Sequence, residues 1–131
     1  MAHPNEDLIR KGYAAFAAGD LDTLRQLFGP DIVWHTPGRN PLSGTEHGID
    51  AVFQSFGRLA ELTGGTFRVG EIHDVLANDD HAVALLRIHA ERGGKTLESN
   101  DVHVFNMSNG RVTEFWAVSG DQYATDELLN S

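Results

Sequence analysis

The sequence predicts an α+β domain, a cone-shaped barrel in which three helices pack on one face of a curved, mainly antiparallel sheet. Two observations predict it. Up to about residue 62 the apolar residues recur mostly at helical spacing, and from Thr66 onward they alternate as in strands. The strand-like runs are joined by short turns. The clearest is Ser108-Asn109-Gly110, because Asn and Gly both accept the positive φ of a tight hairpin. Helices first and hairpin-joined strands afterwards segregate into two layers, and a sheet curling round helices leaves a cavity between them.

Residues 1–4 are expected to be flexible. Asn5 suits an N-cap, with Glu6 and Asp7 in a first turn where the helix dipole favours acids. Leu8, Ile9, Tyr13, Phe16 and Ala17 mark an amphipathic helix over residues 6–18, which Gly19 ends. Asp20 or Asp22 caps a shorter helix with Leu21, Leu24, Leu27 and Phe28 inward, and Gly29-Pro30 stops it. Residues 32–36 read as a short strand. Residues 37–48, with two prolines and three glycines, read as a loop. A third helix runs from Asp50 to about residue 62 on a stripe of Ile49, Val52, Phe53, Phe56, Leu59 and Ala60, and Thr63-Gly64-Gly65 breaks it. Strands are expected over residues 67–76, 81–91, 96–107 and 111–118, and a last helical turn over 125–129.

Composition bounds the function. At 131 residues the chain is most simply one domain, large enough to bury roughly two-thirds of its unfolded surface. Its 40% hydrophobic and 22% charged residues suit a soluble globular protein. The absence of cysteine excludes disulfides and thiolate chemistry and agrees with a cytoplasmic location. A formal charge of −9 argues against nucleic-acid or anionic-membrane partners. No signal-peptide pattern or run of membrane-spanning length is present. The 7 histidines include no helical i, i+4 pair and no His-Glu-x-x-His, so no metal is expected. Gly64-Gly65 and Gly93-Gly94 read as turns rather than phosphate cradles, because no helix follows either. No nucleophile elbow is present, and no cofactor is expected.

The most informative run is the strand over residues 96–107. Strand alternation places Ser99, Asp101, His103, Phe105 and Met107 on one face and Asn100, Val102, Val104 and Asn106 on the other. An acid, an imidazole and an aromatic in line are unusual on a solvent face and costly in a core; a ligand cavity accounts for them. His103 suits proton transfer near neutrality, or is a half-buried histidine bonded to a neighbour. Asp101 could orient His103, donate a hydrogen bond itself if protonated, or face water near the strand start. His35 shares a face with Val33, and Ile32, Trp34 and Thr36 take the other. If Val33's face lines the cavity, His35 points toward His103 as a base or an activator of water; otherwise it is a polar residue at a strand end. Asp121 is either an acid–base group or the N-cap of the last turn. Tyr13, Val33, Phe53, Phe56, Phe105, Phe115 and Trp116 are expected as pocket wall, and the aromatics among them suit a small planar apolar ligand or, equally, a plain core.

Several stretches, taken in order, resemble the SnoaL-like branch of the nuclear-transport-factor-2-like (NTF2-like), or ketosteroid-isomerase-like, superfamily over about residues 5–129. They are Ala17-Ala18-Gly19-Asp20-Leu21-Asp22, Asp31-Ile32-Val33-Trp34-His35-Thr36-Pro37-Gly38, residues 44–48, Asp101-Val102-His103-Val104-Phe105, Asn109-Gly110-Arg111-Val112, and Phe115-Trp116 with Asp121-Gln122-Tyr123-Ala124. The resemblance implies the cone fold and a homodimer through the outer sheet face. It does not fix a function, because this fold hosts cyclases, isomerases, dehydratases, epoxide hydrolases and noncatalytic binders. Asp101 falls where the isomerases carry the aspartic acid that hydrogen-bonds the oxyanion. His103 resembles the pocket histidine of SnoaL-type polyketide cyclases, and Asp121 lies near their catalytic aspartate. His35 sits near the isomerases' basic aspartate and the water-positioning asparagine of limonene-epoxide hydrolases. Two departures matter. Gly12 stands nearest the isomerases' oxyanion-hole tyrosine, with Tyr13 a quarter-turn away, and no arginine accompanies Asp101 as the hydrolases require.

The expected function is a cofactor-independent acid–base enzyme, a cyclase, isomerase or dehydratase, acting on a small hydrophobic carbonyl compound. His35 or His103 would remove a proton, Asp101 or its histidine partner would hydrogen-bond the enolate oxygen, and Asp121 stands in reserve. The alternatives are a noncatalytic binder of a small apolar ligand, and an epoxide or ester hydrolase in which water lies between His35 and a carboxylate.

Overall fold

The computed structural model describes residues 3–131. Helices α1 (Pro4–Ala18) and α2 (Leu21–Leu27) lead into strands β1 (Phe28–Thr36) and β2 (Gly44–His47) and helix α3 (Ile49–Leu62). Strands β3 (Arg68–Ala77), β4 (His81–Arg92), β5 (Lys95–Ser108) and β6 (Arg111–Val118) follow, and α4 (Gln122–Leu129) closes the chain. The six strands form one sheet in the order β2-β1-β6-β5-β4-β3, antiparallel throughout except for the parallel pair β1–β6. Among the described residues no helix is long and apolar enough to cross a membrane.

Four differences from the expectation exceed one residue. First, α1 starts at Pro4, because His3 rather than Asn5 is its N-cap. The His3 side chain accepts from the Asn5 amide and Glu6 returns a carboxylate to the His3 amide, a capping box with proline inside it. Asn5 is buried and donates from Nδ2 to the carbonyl of Asn78 in the β3–β4 turn. His3 and Pro4 take part in the start of α1, and Met1 and Ala2 of the stretch expected to be flexible lie outside the described residues. Second, β1 begins at Phe28, with an irregular register against β6 between Phe28 and Val33. Third, β2 lies inside the expected loop and pairs along the outer edge of β1 from Val33↔His47 to Thr36↔Gly44; four residues between glycines leave no readable alternation. Fourth, α4 is an eight-residue helix rather than a single turn.

The core lies between the helices and the inner sheet face. Ile9 of α1, Leu24 and Leu27 of α2 and Val52 of α3 face Leu86 and Ile88 of β4, Phe105 and Met107 of β5, and Val112 and Phe115 of β6. Each such side chain contributes about 1.5–3 kcal/mol on full burial. Gly12 marks the crossing of α1 and α2, since a Cβ there would come within 2.7 Å of Leu27 Cδ2. A side chain at this position would require the end of Leu27 to shift.

Candidate functional site

A cavity of about 190 Å³ opens between the helices and the inner sheet face. Its walls are largely aromatic and aliphatic, among them Phe16, Phe28, Phe56, Phe67, Trp34 and Phe115. The parallel register sets Trp34 opposite Phe115 on β6. Their rings stack with centroids 3.6 Å apart.

Three ionisable groups enter this apolar space: Tyr13 from α1, and Asp101 and His103 from β5. Tyr13 Oη lies 2.6 Å from His103 Nδ1, the two rings stack, and the edge of His103 meets Phe115. Burial disfavours the charged form of each. It pushes the Tyr13 phenol well above its ordinary range and holds the His103 imidazolium down to about 4. At neutral pH the pair is a phenol and a neutral imidazole. Asp101 is buried, and its Oδ1 accepts from Ser99 Oγ at 2.7 Å and from the Gly120 amide at 3.2 Å. Among the described residues Asp101 Oδ2 and His103 Nε2 have no hydrogen-bond partner, so both keep capacity for a ligand.

Pro37 and Asn40 of the loop before β2 and Gln122 and Thr125 of α4 also line the cavity. One carboxylate ties the two together. Asp126 Oδ1 accepts from Asn40 Nδ2 at 2.8 Å and Gln122 Nε2 at 2.9 Å, and Oδ2 accepts from the Arg39 amide at 3.1 Å. Partial burial works against the charge of Asp126, but these donors prevail and keep its carboxyl below its usual range. Gly38 sits against this knot so closely that a Cβ would be 2.4 Å from Asp126 Oδ1. Asn130 adds a bond to the Arg39 carbonyl.

Of the site residues expected from the sequence, Tyr13, Phe56, Asp101, His103, Phe105 and Phe115 line the cavity together. The others do not. Ile32, fully buried, fixes the inward face of β1 and brings Trp34 and Thr36 with it. Val33 and His35 consequently stand on the outer face, and His35 does not approach His103. It bonds Glu114 Oε2 at 2.6 Å and Thr45 Oγ1 at 3.0 Å, and stacks on Trp116, which shares that outer face. The hydrolase alternative placed a water between His35 and a carboxylate; here Glu114 bonds the His35 ring directly, on the face away from the cavity. Phe53 lies behind Phe28 and Phe56 with Arg25 over its ring. Asp121 caps α4, accepting from the Ala124 amide at 3.0 Å. Asp121→Ala is expected to lower stability by about 1 kcal/mol in urea unfolding without changing ligand affinity; a change in affinity with stability intact would return Asp121 to the site.

Sequence reasoning missed Ser99 and Gly120 as partners of Asp101, and the bonds of Asp126 to Asn40 and Gln122. Ser99 was visible two residues before Asp101 on the same face. The contacts of Gly120 and Asp126 join segments distant in sequence and leave no local signal.

The fold and the site define an α+β cone with an apolar cavity entered by an acid, an imidazole and a phenol. The SnoaL-like domain matches residues 9–115, and the chain belongs to that family of the NTF2-like superfamily. An uncharacterized protein of Mycobacterium tuberculosis is 37% identical over 123 residues, 93% of each chain. The structure of Bal32a, from a soil-derived mobile gene cassette, is 42% identical, covers 96% of both chains and superposes with a TM-score of 0.90. An NTF2-like protein of unknown function from Burkholderia pseudomallei is 25% identical, with 97% of this chain and 98% of that one covered and a TM-score of 0.84. Structures of the same fold at lower identity include candidate polyketide cyclases, a likeness of fold alone.

Proposed function

We propose that this protein is a cofactor-independent acid–base enzyme acting on a small hydrophobic carbonyl compound. The observation that carries the reading is the opening of Asp101 and His103, each with an unused polar atom, into one otherwise apolar cavity. Two positions apart on a strand, their backbones are about 6.6 Å apart. Both side chains can therefore reach a single carbonyl compound, one at the oxygen and the other at the hydrogen on the adjacent carbon. One group takes that hydrogen as a proton while the other hydrogen-bonds the oxygen, where negative charge develops. The apolar walls strengthen that hydrogen bond by excluding water. The enolate then regains the proton at another carbon, attacks a second carbonyl, or expels a β-hydroxyl group, which correspond to isomerisation, cyclisation and dehydration.

The test is hydrogen–deuterium exchange next to the carbonyl, followed by NMR in D₂O over a panel of aryl ketones and cyclic enones, with affinities from equilibrium dialysis. Exchange above background is expected for at least one bound ketone. Asp101→Asn and His103→Ala are each expected to slow it about 100-fold with affinity largely retained. Ketones that bind without any exchange above background would replace this reading with that of a noncatalytic binder.

A further inference from the structure

We propose that Tyr13 is a positioning residue that fixes His103 in the tautomer with Nε2–H facing the cavity, making His103 the hydrogen-bond donor and Asp101 the base. The division of labour rests on the acid–base reading above; the tautomer does not.

Among the described residues, Tyr13 Oη has one hydrogen-bond partner, His103 Nδ1, at 2.6 Å. Either atom could carry the shared proton. A phenol is a stronger acid than a neutral imidazole N–H, and an imidazole nitrogen is a stronger base than a phenol oxygen, so O–H···N is the favoured arrangement. A neutral imidazole has one N–H. With Nδ1 accepting from Tyr13, that hydrogen is on Nε2, the atom left open to the cavity. The tautomer of a ring histidine is set in this way by what its other nitrogen does. An imidazole with its conjugate acid held near 4 is a poor base at neutral pH, but its N–H remains a good donor.

Asp101 is arranged the opposite way. Ser99 Oγ and the Gly120 amide both donate to Oδ1, leaving the Oδ2 lone pairs as the acceptor in the cavity. In the proposed step Oδ2 takes the α-hydrogen as a proton, and the C–H electron pair becomes the enolate double bond. The carbonyl oxygen gains the negative charge and accepts from His103 Nε2–H, which keeps its proton. Asp101 then returns its proton to carbon, and the charges are as they began.

The tautomer is read without substrate, by long-range ¹H–¹⁵N NMR on protein labelled at histidine nitrogen. In the wild type His103 is expected to show a protonated Nε2 and a bare Nδ1, and Tyr13→Phe is expected to shift both signals toward a mixture. A wild-type His103 protonated at Nδ1 would overturn the proposal. Exchange kinetics then test the roles. A glutamine amide places a donor near Nε2, and an asparagine amide places one near Nδ1. His103→Gln is expected to stay within about tenfold of wild type, and His103→Asn and Asp101→Asn to lose about 100-fold. Equal loss in the glutamine and asparagine variants, with Asp101→Asn still active, would make His103 the base. Wild-type protein without exchange would defeat the acid–base reading, while the NMR result would still decide the tautomer.

Discussion

Gly120→Ala is expected to destabilise the protein by about 3 kcal/mol or more, at the upper end of what overpacking costs. A Cβ at Gly120 would lie 2.0 Å from the carbonyl oxygen of Asn100 and 3.1 Å from its carbonyl carbon. These are backbone atoms of β5, and Asn100 is paired with Arg87 of β4, so the strand cannot retreat without breaking its ladder. The chain after β6 must move instead. The same close approach lets the Gly120 amide reach Asp101 Oδ1 at 3.2 Å, and moving the chain withdraws one of the two donors that orient that carboxyl. Urea unfolding should show the midpoint falling with an unchanged m-value, and ketone exchange should fall with it in the protein that remains folded. A midpoint equal to that of the wild type would mean that the turn relaxes freely and that Gly120 does not hold Asp101 in place.

Acidification from pH 7 to pH 4 is expected to cost the wild type on the order of 3 kcal/mol more than it costs His103→Gln. Burial holds the folded imidazole at about 4, against 6.5 for an ordinary histidine. Between those values the unfolded chain binds a proton that the folded chain does not. The stability linked to His103 is therefore complete above pH 6.5, declines as the pH falls, and is gone at about pH 4. Acidic groups common to both proteins cancel in the difference. Urea titrations at successive pH values measure it. Parallel curves for the two proteins would mean that the folded site accepts a proton as readily as the unfolded chain, which would remove the basis for a neutral His103 at physiological pH.

The fold was largely legible because its signals are local. Helical spacing changes to alternation near Thr66, Gly19 stops α1, and Asn109-Gly110 turns β5 into β6. The strand face of β5 was legible for the same reason, and it placed Asp101, His103 and Phe105 together. The error on β1 was one of phase. Both of its faces carry an aromatic or apolar residue, and the histidine drew attention to the Val33 face. The pairing of Ile32 with Trp34 was the stronger sign, because that face is the more apolar and a sheet buries its more apolar side. Three features depend on tertiary contact and had no sequence signal: the Tyr13–His103 bond between α1 and β5, the Gly120 approach to Asn100, and the bonds of Asp126 to the loop before β2.

The cavity envelope is not uniformly strong. The sheet wall is held by a continuous backbone ladder and the α1–α2 wall by apolar burial, whereas the α4 wall meets the loop before β2 through hydrogen bonds gathered at one partly exposed carboxylate. The bonds across that seam are polar and replaceable by water, while Leu128 and Leu129 keep α4 itself buried against the core. On the acid–base reading proposed above, the seam at Asp126 and the pair Asp101 and His103 are separate sets of residues, so a substitution in one leaves the hydrogen bonds of the other in place.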